Sequence, residues 1–88
     1  MKSPRVDRWH VELASRVTMV LDRIPAHQKA RILQALHELS AGPLQRRCRK
    51  LRGRPEWRLR IGGRRALFLV DFEARSIVVV DIYRMVEA

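Results

Sequence analysis

A strict alternation of apolar and basic residues, Trp57-Arg58-Leu59-Arg60-Ile61, leads into Gly62-Gly63 and is followed by an apolar run from Ala66 to Val70. A period of two is typical of a β-strand, and a glycine pair between two such runs favours a tight hairpin turn. A two-residue turn places Arg60 opposite Arg65, on the same side of the sheet as Arg58. We refer to this side as the arginine face. The apolar residues of the first strand face the other way, where a core can form.

Two segments of helical periodicity precede the hairpin. The first follows Ser15, a predicted N-cap, ends at Pro25, and carries apolar residues at Val17, Val20, Leu21 and Ile24. The second ends at Gly42-Pro43 and repeats the same spacing in Ile32, Ala35, Leu36 and Leu39. The spacing i, i+3, i+4, i+7 puts one apolar stripe on each helix, so the pair is expected to pack as a hairpin on the apolar side of the sheet.

Strands are predicted near both ends of the chain, at Trp9 to Leu13 and in the β-branched run Ser76 to Ile82. A two-residue loop at Glu73-Ala74 would put Arg84 near Arg65 and turn Tyr83 away from the arginines. It would place four residues on the arginine face: Val78, Val80, Ile82 and Arg84. The order β-α-α-β-β-β predicts a small α+β fold, an antiparallel sheet with a helical hairpin on one face. Residues 1–88 are expected to form one domain, with 1–7 as a frayed lead-in.

The positive charge is concentrated in one segment. The chain has a formal net charge of +10, and residues 46–65 hold ten basic side chains and one acid, Glu56, so this segment alone carries +9. Sixteen of the 19 basic residues are arginines, which suit forked contacts with phosphate or carboxylate groups. A charge this localised predicts a surface that meets a polyanion or an acidic partner.

Several classes of protein are disfavoured by composition. The longest apolar run, Ala66 to Val70, falls far short of the roughly 20 residues of a membrane helix, so we expect a cytoplasmic protein with no membrane partner. One cysteine cannot form an internal disulfide, and three scattered histidines with a single cysteine fit no metal-ligand spacing. We therefore predict no metal and no cofactor. Cys48 lies among arginines, which predicts a lowered thiol pKa.

The segment from Lys50 to Phe68, KLRGRPEWRLRIGGRRALF, resembles the signature of the RelE/ParE superfamily of toxins from type II toxin–antitoxin systems, in which KLKG precedes RLRIGDYRALF. The preceding helices and the last strand fit as well, and the short helices favour the RelE branch. The resemblance implies an mRNA endonuclease that acts on the ribosome and inhibits translation until an antitoxin neutralises it. It also implies cleavage by the ribose 2′-OH, without a metal ion.

The resemblance also implies site residues. The catalytic cluster of the family maps onto Arg58, Arg60, Arg65 and Arg84, with Tyr83 as the tyrosine candidate. RelE-type enzymes often carry lysines at the first two positions and a tyrosine near the C-terminus that this chain lacks, so the general base stays open among Tyr83, Lys50, Glu56 and His37. Further contacts to RNA phosphates are expected from Arg46, Arg47, Arg49, Lys50, Arg52, Arg54 and Arg64.

An apolar patch is predicted beside the arginines, with no helix left to cover it: Leu67, Leu69, Val78 and Val80. Such a patch on a small domain favours a binding surface, and we expect an antitoxin with an acidic segment to cover it in a hetero-oligomer. Two other functions stay open. One is a ParE-like inhibitor of DNA gyrase; the other is a catalytically inactive relative that binds RNA with a steep salt dependence but does not cut it.

Overall fold

A computed structural model describes residues 8–85, which form five strands and two α-helices. The predicted lead-in at residues 1–7 lies outside the described residues. The elements in chain order are β1 His10–Leu13, α1 Ser15–Leu21, α2 Ala26–His37, a 3₁₀ turn Glu38–Ala41, β2 Cys48–Lys50, β3 Trp57–Ile61, β4 Arg64–Asp71 and β5 Ser76–Arg84. Neither helix is long and apolar enough to cross a membrane.

The strands form one sheet in the order β1-β5-β4-β3-β2, which confirms the predicted small α+β fold. Two features differ from the prediction. The pair β1–β5 is parallel, whereas the other pairs are antiparallel, so the sheet is mixed. The start of the basic segment, for which no strand was predicted, forms β2, because the buried Cys48 pairs with Leu59 and brings this part of the chain onto the sheet.

The helices are shorter than their sequence pattern suggests. Helix α1 begins after Ala14 rather than after Ser15, and it ends at Leu21, four residues before Pro25. Helix α2 begins directly after Pro25, and its last turn tightens into the 3₁₀ segment that stops at Gly42. Gly42 has φ 103°, and a Cβ there would lie 2.9 Å from Nε1 of Trp9. Only glycine meets both conditions without strain.

The core lies between the helices and one face of the sheet. The fully buried Phe68 stands at the middle of β4, and Trp57 stacks on it with ring centroids 6.2 Å apart. Trp57 and Trp9 both pack against the core, as their alternation with apolar neighbours predicts. The buried apolar residues are Val17, Leu21, Ile32, Ala35, Leu36, Leu39, Cys48, Leu59, Ala66, Phe68, Ile77, Val79 and Ile82.

The pairing of β4 with β5 is interrupted by a β-bulge. Phe68 pairs with Val79 and Leu67 pairs with Asp81, so Val80 is an extra residue on β5. The pairing starts as expected, with Asp71 opposite Ser76, although the connection is a four-residue turn in which Arg75 has φ 54°. Beyond the bulge every side chain of β5 changes sides relative to a straight pairing. Ile82, predicted on the arginine face, is therefore buried in the core.

Candidate functional site

The arginine face is the side of the sheet that neither described helix covers. Arg60 pairs with Arg65 and Arg58 with Leu67, as the two-residue turn predicts. Strand β2 adds another basic side chain, because Arg49 pairs with Arg58. Directly opposite side chains on antiparallel strands stand about 5 Å apart at Cβ, so these guanidinium groups crowd one corner of the sheet.

Six arginines line a hollow of about 110 Å³ in this corner: Arg46, Arg47, Arg49, Arg58, Arg60 and Arg65. Among residues 8–85, an ion pair involves just one of the six, since Nη2 of Arg47 lies 2.6 Å from Oε1 of Glu38. Like charges placed opposite each other are destabilising. The arrangement therefore favours an anion with several negative oxygens, which would relieve the repulsion and accept forked hydrogen bonds.

Arg65 is held in place by the hairpin turn. Its Nη1 donates to the carbonyl oxygens of Gly62 and Arg64, both at 3.0 Å. Gly62 has φ 58°, a backbone conformation that glycine adopts without cost. The turn thus fixes one edge of the guanidinium and leaves its remaining N–H groups free to bind a phosphate. A donor fixed before the ligand arrives needs little reorganisation on binding.

The bulge corrects the predicted position of Tyr83. A straight pairing would turn this side chain away from the arginines, but Tyr83 pairs with Arg65 and therefore lies on the arginine face. Tyr83 is 37% exposed. Tyr83 is the single tyrosine of the chain. Its hydroxyl can take part in proton transfer, whereas the neighbouring guanidinium groups are not deprotonated in proteins.

The bulge also corrects the predicted position of Arg84. Arg84 pairs with Arg64, so both side chains lie on the helix side of the sheet, the face opposite to that of Arg65. There they line a groove of about 880 Å³ between α2 and the tip of the β3–β4 hairpin. Arg64 Nη2 lies 3.5 Å from Oε1 of Gln28 on α2. The structure therefore does not bring Arg64 or Arg84 to the hollow.

Three other predicted phosphate ligands also lie outside the hollow. Lys50 pairs with Trp57 on the opposite face, and its Nζ donates to the carbonyl oxygens of Leu51, at 3.1 Å, and Arg54. Arg54 Nε bonds Oε1 of Glu56 at 3.1 Å, and Arg52 lies exposed in the same turn. Lys50 thus stabilises the turn between β2 and β3.

The structure separates the alternative candidates for the general base from the hollow. The hydrogen bond from Arg54 lowers the pKa of the Glu56 carboxyl, which makes it a weaker base. Lys50 donates to the two carbonyls of its turn, and His37 ends α2 on the helix side of the sheet. Tyr83 is the one candidate of this group that lies on the arginine face.

Cys48 is a core residue, so the predicted lowering of its thiol pKa is wrong. Its side chain points to the helix side with Leu59, and burial raises the pKa of the thiol, although the charge of Arg47 opposes the shift. We expect alkylation of Cys48 in the native protein at pH 7.5 to be about ten times slower than in the unfolded chain, because a protonated, buried thiol is a poor nucleophile. Mass spectrometry with and without urea measures this ratio, and equal rates would contradict the burial.

The predicted apolar patch lies beside the arginines on the same face. Leu69 pairs with Val78 and is 39% exposed; Leu67 and Val80 are half-buried at the bulge. The patch is bordered by arginines on β3 and by Glu12 on the edge strand β1, which pairs with Val78. An apolar strip with a basic margin is a surface that a partner chain can cover.

One pair of residues at this site was not singled out from the sequence. Asp81, in the bulge, accepts hydrogen bonds on Oδ1 from Nε of Arg16 at 3.0 Å and from the amide of Ile82 at 2.8 Å. Arg16 lies on α1, 65 residues earlier in the chain. The sequence signal that could have revealed the bulge is Asp81 itself. It stands in an otherwise apolar run, at a position where uninterrupted alternation would put a core residue.

No family model and no curated protein matches this chain. Solved structures do. An archaeal RelE–RelB complex from Pyrococcus horikoshii matches with a TM-score of 0.80 and 22% identity, over 92% of this chain and 99% of that one. The toxin–antitoxin complex RelBE2 from Mycobacterium tuberculosis matches with a TM-score of 0.78 and 22% identity, over 88% and 98%. The isolated RelE toxin of E. coli matches with a TM-score of 0.75 and 16% identity, over 91% and 87%.

These likenesses extend over nearly the whole length of both chains, so the helical hairpin, the mixed sheet and the helix-free face all belong to the shared architecture. The architecture predicted from the Lys50 to Phe68 signature is thereby confirmed. This chain has the fold of the RelE toxins.

Proposed function

We propose that this protein is the toxin of a type II toxin–antitoxin system, and that it cleaves mRNA on the ribosome in the cytoplasm. The observation that carries the proposal is the hollow of six arginines on the helix-free face of a RelE fold. The neighbouring structures include RelE toxins in complex with RelB antitoxins, which supports an antitoxin as the partner of this chain.

The chemistry follows from what guanidinium groups can do. The ribose O2′ attacks the adjacent phosphorus, the P–O5′ bond breaks, and the products are a 2′,3′-cyclic phosphate and a 5′-hydroxyl. The transition state places extra negative charge on the phosphate oxygens, which Arg58, Arg60 and Arg65 stabilise. Arginine is not deprotonated in proteins, so these residues supply charge stabilisation and do not move protons. A phenol O–H has a proton to give and must lose that proton before it can accept one, so we assign Tyr83 the role of the acid rather than the base, and the O2′ proton is released to water.

Tyr83 supplies the proton that the leaving O5′ needs. It stands opposite Arg65, and its hydroxyl is a proton donor beside guanidinium groups that do not give up a proton. We expect Tyr83→Phe to lower the cleavage rate about 10²-fold, the usual contribution of one general acid. RNA binding should change little, because phenylalanine keeps the ring. The measurement is single-turnover cleavage on programmed ribosomes; an unchanged rate would exclude Tyr83 as the acid.

The apolar patch of Leu67, Leu69, Val78 and Val80 is the proposed contact for the antitoxin. We expect Leu69→Asp to weaken the complex with the cognate antitoxin by about 10- to 100-fold, since it places a charge in a dry interface and repels an acidic partner. Leu44→Asp makes the same change at another exposed leucine outside the patch and should leave the affinity unaltered. Isothermal titration compares the two, and equal affinities would remove the patch from the interface.

Pulse labelling after induction in cells distinguishes the proposed target from gyrase. Incorporation of labelled methionine should stop within minutes while incorporation of labelled thymidine continues. The reverse order would favour a gyrase inhibitor. A catalytically inactive RNA-binding relative would instead retard RNA on a gel without producing new 5′ ends.

A further inference from the structure

We infer that Asp81 is a positioning residue, because its exclusion from the core decides that Tyr83, and not Arg84, lies on the arginine face. The role of Tyr83 in cleavage rests on the proposed function. The placement of Tyr83 by Asp81 does not, and it can be tested without RNA.

The sequence of β5 allows two pairings with β4. The run Ile77 to Val80 is apolar at every position, so either set of alternating side chains could face the core. A straight pairing would put Asp81 opposite Ala66, which is fully buried. The observed bulge puts Ile82 opposite Ala66 instead. Burying an unpaired carboxylate is far more costly than burying isoleucine, so the bulged pairing is favoured.

Polar contacts then hold Asp81 outside the core. Its Oδ1 accepts the amide of Ile82, the residue with which core packing resumes, and Nε of Arg16 from α1. The Asp81 side chain is 31% exposed, so it stands at the surface beside the bulge. The Arg16–Asp81 pair thus links the start of α1 to the part of β5 that carries Tyr83.

The chemistry of the site depends on which side chains of β5 lie on the arginine face. In the bulged pairing Tyr83 lies opposite Arg65 and brings a hydroxyl to the arginine face, on the strand next to the hollow. In a straight pairing Ile82 would lie opposite Arg65, Tyr83 would turn to the helix side, and Arg84 would join the arginines. The site would then hold one more guanidinium and no proton donor from this strand.

The test exchanges residues 81 and 82, which decide whether the pairing of β5 with β4 is bulged or straight. In the variant Asp81→Ile with Ile82→Asp, composition is unchanged and the straight pairing buries isoleucine while exposing aspartate. The position of Tyr83 is read by NMR, as nuclear Overhauser contacts between its ring and the Arg65 side chain. Tyr83 is the only tyrosine, so its ring signals are unambiguous. We expect these contacts to be lost in the exchanged variant and kept in Asp81→Asn, which still disfavours burial.

Deleting Val80 gives a second test that does not depend on the exchanged variant folding. The deletion removes the extra residue but leaves Asp81 opposite Leu67 and Tyr83 opposite Arg65, so the contacts should persist. Loss of the contacts after the deletion, or their retention in a folded exchanged variant, would overturn the inference. If Tyr83 moves as expected but Tyr83→Phe cleaves normally, the positioning stands and the proposed role of Tyr83 fails.

Discussion

Arg65→Ala is expected to lower the rate of ribosome-dependent mRNA cleavage by at least about 10²- to 10³-fold, the usual loss when one preorganised donor to a developing oxyanion is removed. Arg65 is the arginine of the hollow whose Nη1 is fixed by two backbone carbonyls, and it stands between Arg60 and Tyr83 on neighbouring strands. Growth arrest on induction should disappear with the activity, while the circular dichroism spectrum stays that of the wild type.

Two alanine variants serve as controls for the loss of a charge. Arg64→Ala removes the same group one residue away but from the helix side of the sheet, and we expect it to cost at most a few-fold. Arg23→Ala removes an exposed arginine after α1 and should leave the rate unaltered. Equal losses in Arg64→Ala and Arg65→Ala would mean that total charge, rather than the hollow, determines activity.

Phe68→Ala is expected to lower the free energy of unfolding by about 3–5 kcal/mol, the usual range for a buried phenylalanine. Phe68 is fully buried at the centre of β4 and stacks on Trp57. Small domains are commonly stable by only about 5–15 kcal/mol, so the variant should be close to unfolded at 37 °C. Urea denaturation followed by circular dichroism measures the change.

Phe72→Ala is the matched control for that substitution. Phe72 is 52% exposed and contacts Trp9 and Trp57 at the end of the core. Its replacement should cost only about 1 kcal/mol, chiefly from lost aromatic contacts. If the two phenylalanine variants lose the same stability, the core does not centre on Phe68.

The β3–β4 hairpin could be predicted closely because its sequence leaves one register. Gly62-Gly63 sets the turn, and strict alternation before it assigns a face to each arginine of β3. The pairing of Arg60 with Arg65 follows from these two facts alone. The location of the helix-free, basic face, and with it three of the six arginines of the hollow, could therefore be predicted from the residues.

The pairing of the second half of β5 could not be predicted in the same way. Its four consecutive apolar residues do not indicate which side chains face the core, and the straight pairing overlooked that it would bury Asp81 opposite Ala66. The straight pairing placed Tyr83 and Arg84 on the wrong faces for this reason. Because burying a charge is costly, a single charged residue in an apolar strand decides which side chains of the strand face the core.

The strand β2 and the state of Cys48 were missed for a related reason. Counting charges along a segment ignores that neighbours on a strand point to opposite faces. Arg49 pairs with Arg58 on the arginine face, whereas Cys48, between Arg47 and Arg49, points into the core. Proximity in sequence therefore suggested a lowered pKa, and burial raises it.

Primer extension on a defined mRNA, in a translation reaction reconstituted from purified components, tests most directly whether the arginine face of this RelE fold cleaves mRNA. We expect new 5′ ends with the wild-type protein only when ribosomes are present, and none with Arg65→Ala. Absence of new ends with folded wild-type protein, or equal cleavage by the Arg65→Ala variant, would contradict the proposed site and activity.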